Sequence, residues 1–120
     1  MNATSPDDLD NAAIAYRLRI LRHLVAGGGH GSRAQFAARI GIEYKRWNNF
    51  ERGFPLPRGM AIHLVRAIDG LTLDWIYLGR QDGMSMRLQR ELEEAGKAVT
   101  LSERPGAPAS SRKPVTKSRA

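Results

Sequence analysis

SRAQFAARIGIEYKRWNNFERG, residues 32–53, reads as two short helices joined by a tight turn. Ser32 is a suitable N-cap for the first helix. Phe36, Ala37 and Ile40 share its inner face. Gly41 stands where a helix must stop sharply, in the left-handed region that glycine enters without a Cβ penalty. Ile42 is an apolar plug in the turn. The second helix is predicted from Glu43 or Tyr44 to Arg52 and is closed by Gly53. Trp47 and Phe50, three residues apart, point inward, and Tyr44, Lys45, Asn48 and Asn49 fall on the opposite side. Two helices that cross closely need a small residue at the crossing, here Ala37, and a sharp turn, here Gly41.

Outward from this stretch the chain punctuates itself clearly. Ser5-Pro6-Asp7-Asp8 has a helix-start pattern, a Ser cap followed by Pro and acids. Ile14, Leu18, Leu21 and Val25 then lie on one helical face, so a helix is predicted over Pro6–Ala26. Gly27-Gly28-Gly29-His30-Gly31 ends it as a surface loop. This glycine run follows a helix rather than a strand and lacks the Lys of a phosphate-cradling P-loop. Beyond Gly53, Phe54-Pro55-Leu56-Pro57 reads as an extended connector. Ala61, Leu64, Val65 and Ile68 form an i, i+3, i+4, i+7 stripe that predicts a helix over Pro57–Asp69. Thr72 caps a short apolar helix, Leu73–Leu78, which Gly79 closes. Met84, Leu88, Leu92 and Ala95 or Gly96 mark a further helical face over Met84–Lys97, with Arg87/Glu91 and Arg90/Glu94 placed to pair at i, i+4. No strand pattern survives, so the expected class is all-α. The expected divisions are a disordered N-terminus (1–6), a helical domain (7–79), a C-terminal helical extension (80–101) and a disordered basic tail (102–120) whose composition cannot bury enough surface to order itself.

Composition bounds the function. The chain has 120 residues, 42% of them hydrophobic, a formal net charge of +7 and no cysteine. One domain fits this length, and a chain this short gains stability from oligomerisation. The absence of cysteine excludes disulfides and thiolate metal sites, and it fits a cytoplasmic location. No apolar run is long enough to span a bilayer. The polar, acidic start MNATSPDDLD does not read as a secretory signal. A basic balance suits nucleic acid or an anionic membrane surface. His23, His30 and His63 are too scattered to suggest a metal site. No nucleophile, paired-carboxylate or metal-ligand constellation appears, so an enzyme is not expected, nor a cofactor, nor a small-molecule substrate.

Residues 18–79 resemble the DNA-binding domain of phage lambda-type repressors and Cro proteins, the five-helix fold also called XRE-like. The matching text is Leu18-Arg19 with Arg22, Phe36-Ala37 with Arg39-Ile40-Gly41-Ile42, Phe50-Glu51-Arg52-Gly53, and Leu73-Asp74-Trp75-Ile76-Tyr77-Leu78-Gly79. The resemblance implies a five-helix domain with one additional C-terminal helix. Its second short helix would enter a DNA major groove. By position it implies that Tyr44, Lys45 and Asn49 read bases. Arg33, Arg46, Arg52 and Arg58 would grip phosphates. Arg22 and Glu51 would form a structural ion pair between the first helix and the recognition helix. The sequence departs from the family in its long glycine loop, in Arg33 where Gln is usual, in Glu43 at the cap of the recognition helix, and in the bulk of Tyr44 and Trp47.

The expected function is therefore sequence-specific binding of double-stranded DNA by a transcriptional regulator of the repressor type. It would act as a homodimer through the fifth helix and the 84–97 helix. The alternative is a protein-interaction module of the same fold, an antitoxin or anti-repressor with weak or no DNA binding. Trp75 has two readings, core residue or half-exposed dimer contact. The basic residues Arg104, Arg112, Lys113, Lys117 and Arg119 also have two, a solubility tail or a segment that follows the DNA backbone.

Overall fold

A computed structural model describes residues 10–103, and within them the chain is all helical. The six helices are α1 (Asn11–Ala26), α2 (Ser32–Ile40), α3 (Tyr44–Glu51), α4 (Arg58–Ala67), α5 (Leu73–Leu78) and α6 (Met86–Glu103). The expectations for the Ser5 cap, for residues 1–6 and for most of the tail lie outside the described residues.

Local signals set most of the boundaries. Gly41 has φ +76° and its N–H bonds back to α2, so the turn into α3 depends on a left-handed residue. The Thr72 hydroxyl accepts from the Trp75 N–H and caps α5, whose far end closes at the left-handed Gly79. Three starts differ from the sequence expectation. The cap of α1 is Asp10, whose carboxylate accepts from the Ala13 N–H. Ser32 is the first residue of α2 rather than its cap, because its hydroxyl accepts from Arg22 instead of from the helix backbone. The Ser85 hydroxyl accepts from the Leu88 N–H, so α6 starts at Met86 rather than Met84. α4 is shorter than predicted, because Ile68 is already extended.

Helix α1 lies at the centre. One side of it packs on α2, α3 and α5, and the other packs on α6. The core joins Ile14, Leu18 and Leu21 of α1 to Phe36, Ala37 and Ile40 of α2, Trp47 and Phe50 of α3, Ala61 and Leu64 of α4, and Trp75 and Ile76 of α5. The rings of Phe36 and Trp47 meet with centroids 4.6 Å apart. Trp75 is 5% exposed, which decides for its core reading. Each large apolar side chain buried in this way contributes about 1.5–3 kcal/mol.

The last helix is longer than its sequence suggested and belongs to the same core. α6 runs antiparallel to α1, as three contacts show. The hydroxyls of Tyr16 and Thr100 hydrogen-bond to each other, Gly96 lies beside Ile20, and Arg90, Glu91 and Glu94 flank His23 and Leu24. Met84, Leu88, Leu92, Ala95 and Val99 are all buried. α6 is described through Glu103, past the predicted helix end at Lys97. Of the two predicted pairs, Arg87–Glu91 forms at 3.6 Å, whereas Glu94 meets Lys97 at 3.4 Å. No helix among the described residues is long and apolar enough to cross a membrane.

Candidate nucleic-acid interface

Helix α3 is amphipathic in an unusual way, because a carboxylate is part of its inner face. Trp47, Phe50 and Glu51 are buried. By the 3.6-residue repeat, Lys45 and Asn49 stack one turn apart on the side opposite them, with Tyr44 and Arg46 on the flanks. Tyr44, Lys45 and Arg46 are exposed, and Asn49 is half-buried at the foot of this face. The guanidinium of Arg46 lies 5.8 Å from the Phe50 ring centroid, and that of Arg52 lies 5.9 Å from Phe54. Such contacts steady a long side chain without using its N–H donors.

Glu51 is held by donors from three helices. Arg22 of α1 donates from Nε to Oε2 at 2.8 Å and from Nη2 to Oε1 at 3.0 Å, the bidentate fork of a guanidinium on a carboxylate. Arg33 of α2 adds Nε to Oε1 at 3.1 Å. Trp47 of α3 donates its indole N–H to Oε2 at 2.5 Å. The remaining reach of Arg22 goes to the Ser32 hydroxyl at 2.9 Å. Arg22 is 2% exposed and Glu51 1%, so the expected structural pair is present and fully buried. Arg19 completes the tie by donating to the Glu51 carbonyl at the end of α3, at 2.8 Å. No buried side-chain polar atom among the described residues lacks a partner. The orientation of α3 on α1 and α2 is therefore set by a closed polar network together with the Phe36–Trp47 contact.

Two members of this network went unpredicted. Trp47 and Glu51 are an i, i+4 pair on one helix, a spacing that signals contact. The Arg33–Glu51 bond carries no such signal, since it depends on how α2 meets α3. Arg33 keeps 43% of its side chain exposed while it pairs.

The other expected site residues divide between two places. Tyr44 and Arg33 line one cleft, together with Gly28–Gly31, Ser32 and Ala34. Arg58, at the start of α4, lies near Tyr77. Burial raises the pKa of that phenol, and the positive charge of Arg58 opposes the rise. Tyr77 also donates to the Leu56 carbonyl at 3.4 Å. The exposed carboxylate nearest the start of α3 in sequence is Glu43, which occupies the N-cap position without forming a side-chain cap bond. His63 donates from its ring to the Ile40 carbonyl and ties α4 to the end of α2. No three His, Asp or Glu side chains gather into a metal-binding group among the described residues.

The exposed face of α3 thus offers cations, a phenol and amides, while its one carboxylate is turned inward and neutralised. Such a surface can donate hydrogen bonds to an anionic partner and to the acceptor edges of bases. No protein-family model, no curated protein and no solved structure matches this chain.

Proposed function

We propose that this chain is a sequence-specific double-stranded-DNA-binding transcriptional regulator of the lambda-repressor-like type, with α3 as its recognition helix. The observation that carries this reading is the inward turn of Glu51. A helix with an exposed carboxylate at that position would present negative charge to phosphates. Here α3 is held by that network and its outer face carries Tyr44, Lys45, Arg46, Asn48 and Asn49, with the exposed Glu43 and Arg52 at its N- and C-caps. Lys45 donates to guanine O6 or N7, and Asn49 pairs with adenine N6 and N7. Arg33, Arg46, Arg52 and Arg58 supply sequence-independent affinity by displacing counterions. Arg22 and Glu51 hold the reader in place and touch no DNA.

The proposed unit is a homodimer whose two recognition helices reach half-sites about one helical turn, roughly 34 Å, apart. The apolar side of α6 is spent on α1, so the contact falls to α5, where Leu78 is 55% exposed, and to the outer surface of α6, where Met86 is exposed. The test is selection of bound sites from random duplex DNA, followed by titration of the selected duplex over a salt series. A palindromic consensus with affinity that falls steeply with salt supports the reading. Absence of duplex binding at low salt overturns it. That outcome favours a protein-interaction module, for which the exposed Tyr44 and Phe54 would be the anchoring side chains.

A further inference from the structure

The three residues of α3 expected to read bases do not share one face. Lys45 and Asn49 lie about 40° apart around the helix axis, whereas Tyr44 lies about 100° from Lys45 and about 140° from Asn49. Its neighbours fix the side on which it stands. Tyr44 lines a cleft of about 500 Å³ whose other walls include the Gly28–Gly31 loop and the start of α2, with Ser32, Arg33 and Ala34. The ring is 47% exposed, so it borders the cleft without being sealed in it. Tyr44 therefore occupies the α2 side of the recognition helix, off the ridge formed by Lys45 and Asn49.

The cleft favours negative charge. Arg33 lines it and keeps 43% of its side chain exposed while it pairs with Glu51. The buried Arg22 lines it as well. Glu51, the carboxylate these two share, is 1% exposed and is not part of the lining, and neither is Glu43. None of the described lining residues is acidic. The start of α2 is capped by Gly31 without a side-chain bond, so the positive end of that helix dipole adds to the charge of Arg33. In the docking mode of such a helix pair, the first helix crosses the DNA backbone while the second enters the groove. A side chain of α3 that stands beside the start of α2 meets the strand that α2 crosses, not the base edges below.

We infer that Tyr44 is a phosphate contact rather than a base reader, its hydroxyl donating to the backbone phosphate that Arg33 attracts into the cleft between α2 and α3. This inference rests on the proposed duplex-binding reading and leaves base reading to Lys45 and Asn49. The phenol carries no charge, so it adds a hydrogen bond and displaces no counterion, whereas Arg33 neutralises the phosphate. Tyr44 fixes where α3 sits along the strand, and with it the register of Lys45 and Asn49, without selecting a base.

The experiment titrates the full chain, Tyr44→Phe and Arg33→Gln by fluorescence anisotropy. The targets are the selected duplex, its single-base variants, and copies carrying one neutral methylphosphonate per half-site, moved along the strand. Tyr44→Phe is expected to lose at least about fivefold in affinity, equally for every base variant. Its dependence of log affinity on log salt should stay within about 0.3 of wild type, and Arg33→Gln should flatten that dependence by about 0.9. One methylphosphonate position should weaken the wild-type chain by at least about tenfold, and the penalty at that same position should be at least about threefold smaller in both variants. Tyr44→Phe removes one hydroxyl from an exposed ring, so it carries the test even where Arg33→Gln, which also loses a bond to Glu51, lowers Tm. Wild-type affinity in Tyr44→Phe, a changed preference at one base position, or different methylphosphonate positions for the two variants overturns the phosphate role and leaves α3 as the recognition helix. Inhibition by millimolar inorganic phosphate beyond a chloride control of equal ionic strength makes the cleft a free-anion site and overturns the backbone assignment. A wild-type chain that binds no duplex overturns both proposals.

Discussion

Replacing Glu51 by Gln removes one charge from a site that is 1% exposed and collects four N–H donors. The side chain keeps its shape, so no cavity term enters. Arg22, itself 2% exposed, loses the carboxylate that takes its bidentate fork. Removing one member of a buried pair costs about 3–5 kcal/mol. A domain of this size has a total stability of only about 5–15 kcal/mol. At roughly 4–8 °C per kcal/mol, Tm should fall by at least about 12 °C. Urea unfolding followed by the helical circular-dichroism signal measures the same loss directly. The structure also predicts an asymmetry. Arg22→Met should cost less than Glu51→Gln, because Arg33 and the Trp47 indole still serve the carboxylate. The double replacement Arg22→Met with Glu51→Leu should recover part of the loss, since it leaves no buried charge. It should not recover all of it, because the Trp47 N–H then lacks its acceptor, at about 1–3 kcal/mol. A loss below about 1 kcal/mol for Glu51→Gln, or strict additivity of the Arg22 and Glu51 changes, would refute the view that this network fixes α3.

Further outcomes follow from the same geometry. Lys45→Ala and Asn49→Ala should each relax preference at one base position by about 1–3 kcal/mol, whereas Arg46→Ala should weaken binding evenly across sequences, as read by competition with single-base variants of the selected duplex. Gly41→Ala should lower stability by about 1–2 kcal/mol, because φ is +76° although the space for a methyl is open. Gly96→Ala should instead stabilise the protein by roughly 0.5–1 kcal/mol, since it lies inside α6 and its added Cβ would meet Ile20 at an ordinary 3.6 Å; a lower Tm would show that α6 packs on α1 more closely than described. Leu92→Ala should cost about 2–5 kcal/mol and leave a single cooperative unfolding transition, whereas two transitions would make α6 a separate unit.

What the sequence made legible was mostly what is decided locally. The stop at Gly41 and the Thr72 and Gly79 ends of α5 each depend on neighbours a few residues away, and they fall where the pattern placed them. Trp47 and Phe50 pointed inward by spacing alone. The Arg22–Glu51 pair spans 29 residues and was expected only through the resemblance, because no local pattern links the two positions. The misplaced features share one cause. The Ser32 hydroxyl could bond to its own helix or to Arg22, and the tertiary arrangement chose Arg22. Thr100 and Leu101 carry no strong helical signal, yet α6 continues through them, where Thr100 meets Tyr16 across 84 residues and Val99 is wholly buried. The fate of Arg33 was unreadable for the same reason, since it depends on a carboxylate brought near by folding.

The packing of α6 on α1 also has a consequence for the order in which the chain can be made. The two helices that lie against each other are the first and the last of the described fold, so the outer side of α1, with Tyr16, Ile20 and Leu24, stays uncovered while the intervening residues leave the ribosome. The five earlier helices can gather on the inner side of α1 before that. The nascent protein then carries an apolar stripe and an assembled α3 face until α6 closes over α1. Incomplete chains should therefore be the aggregation-prone species, and a ribosome stalled before residue 86 should hold a product more readily degraded than the finished one.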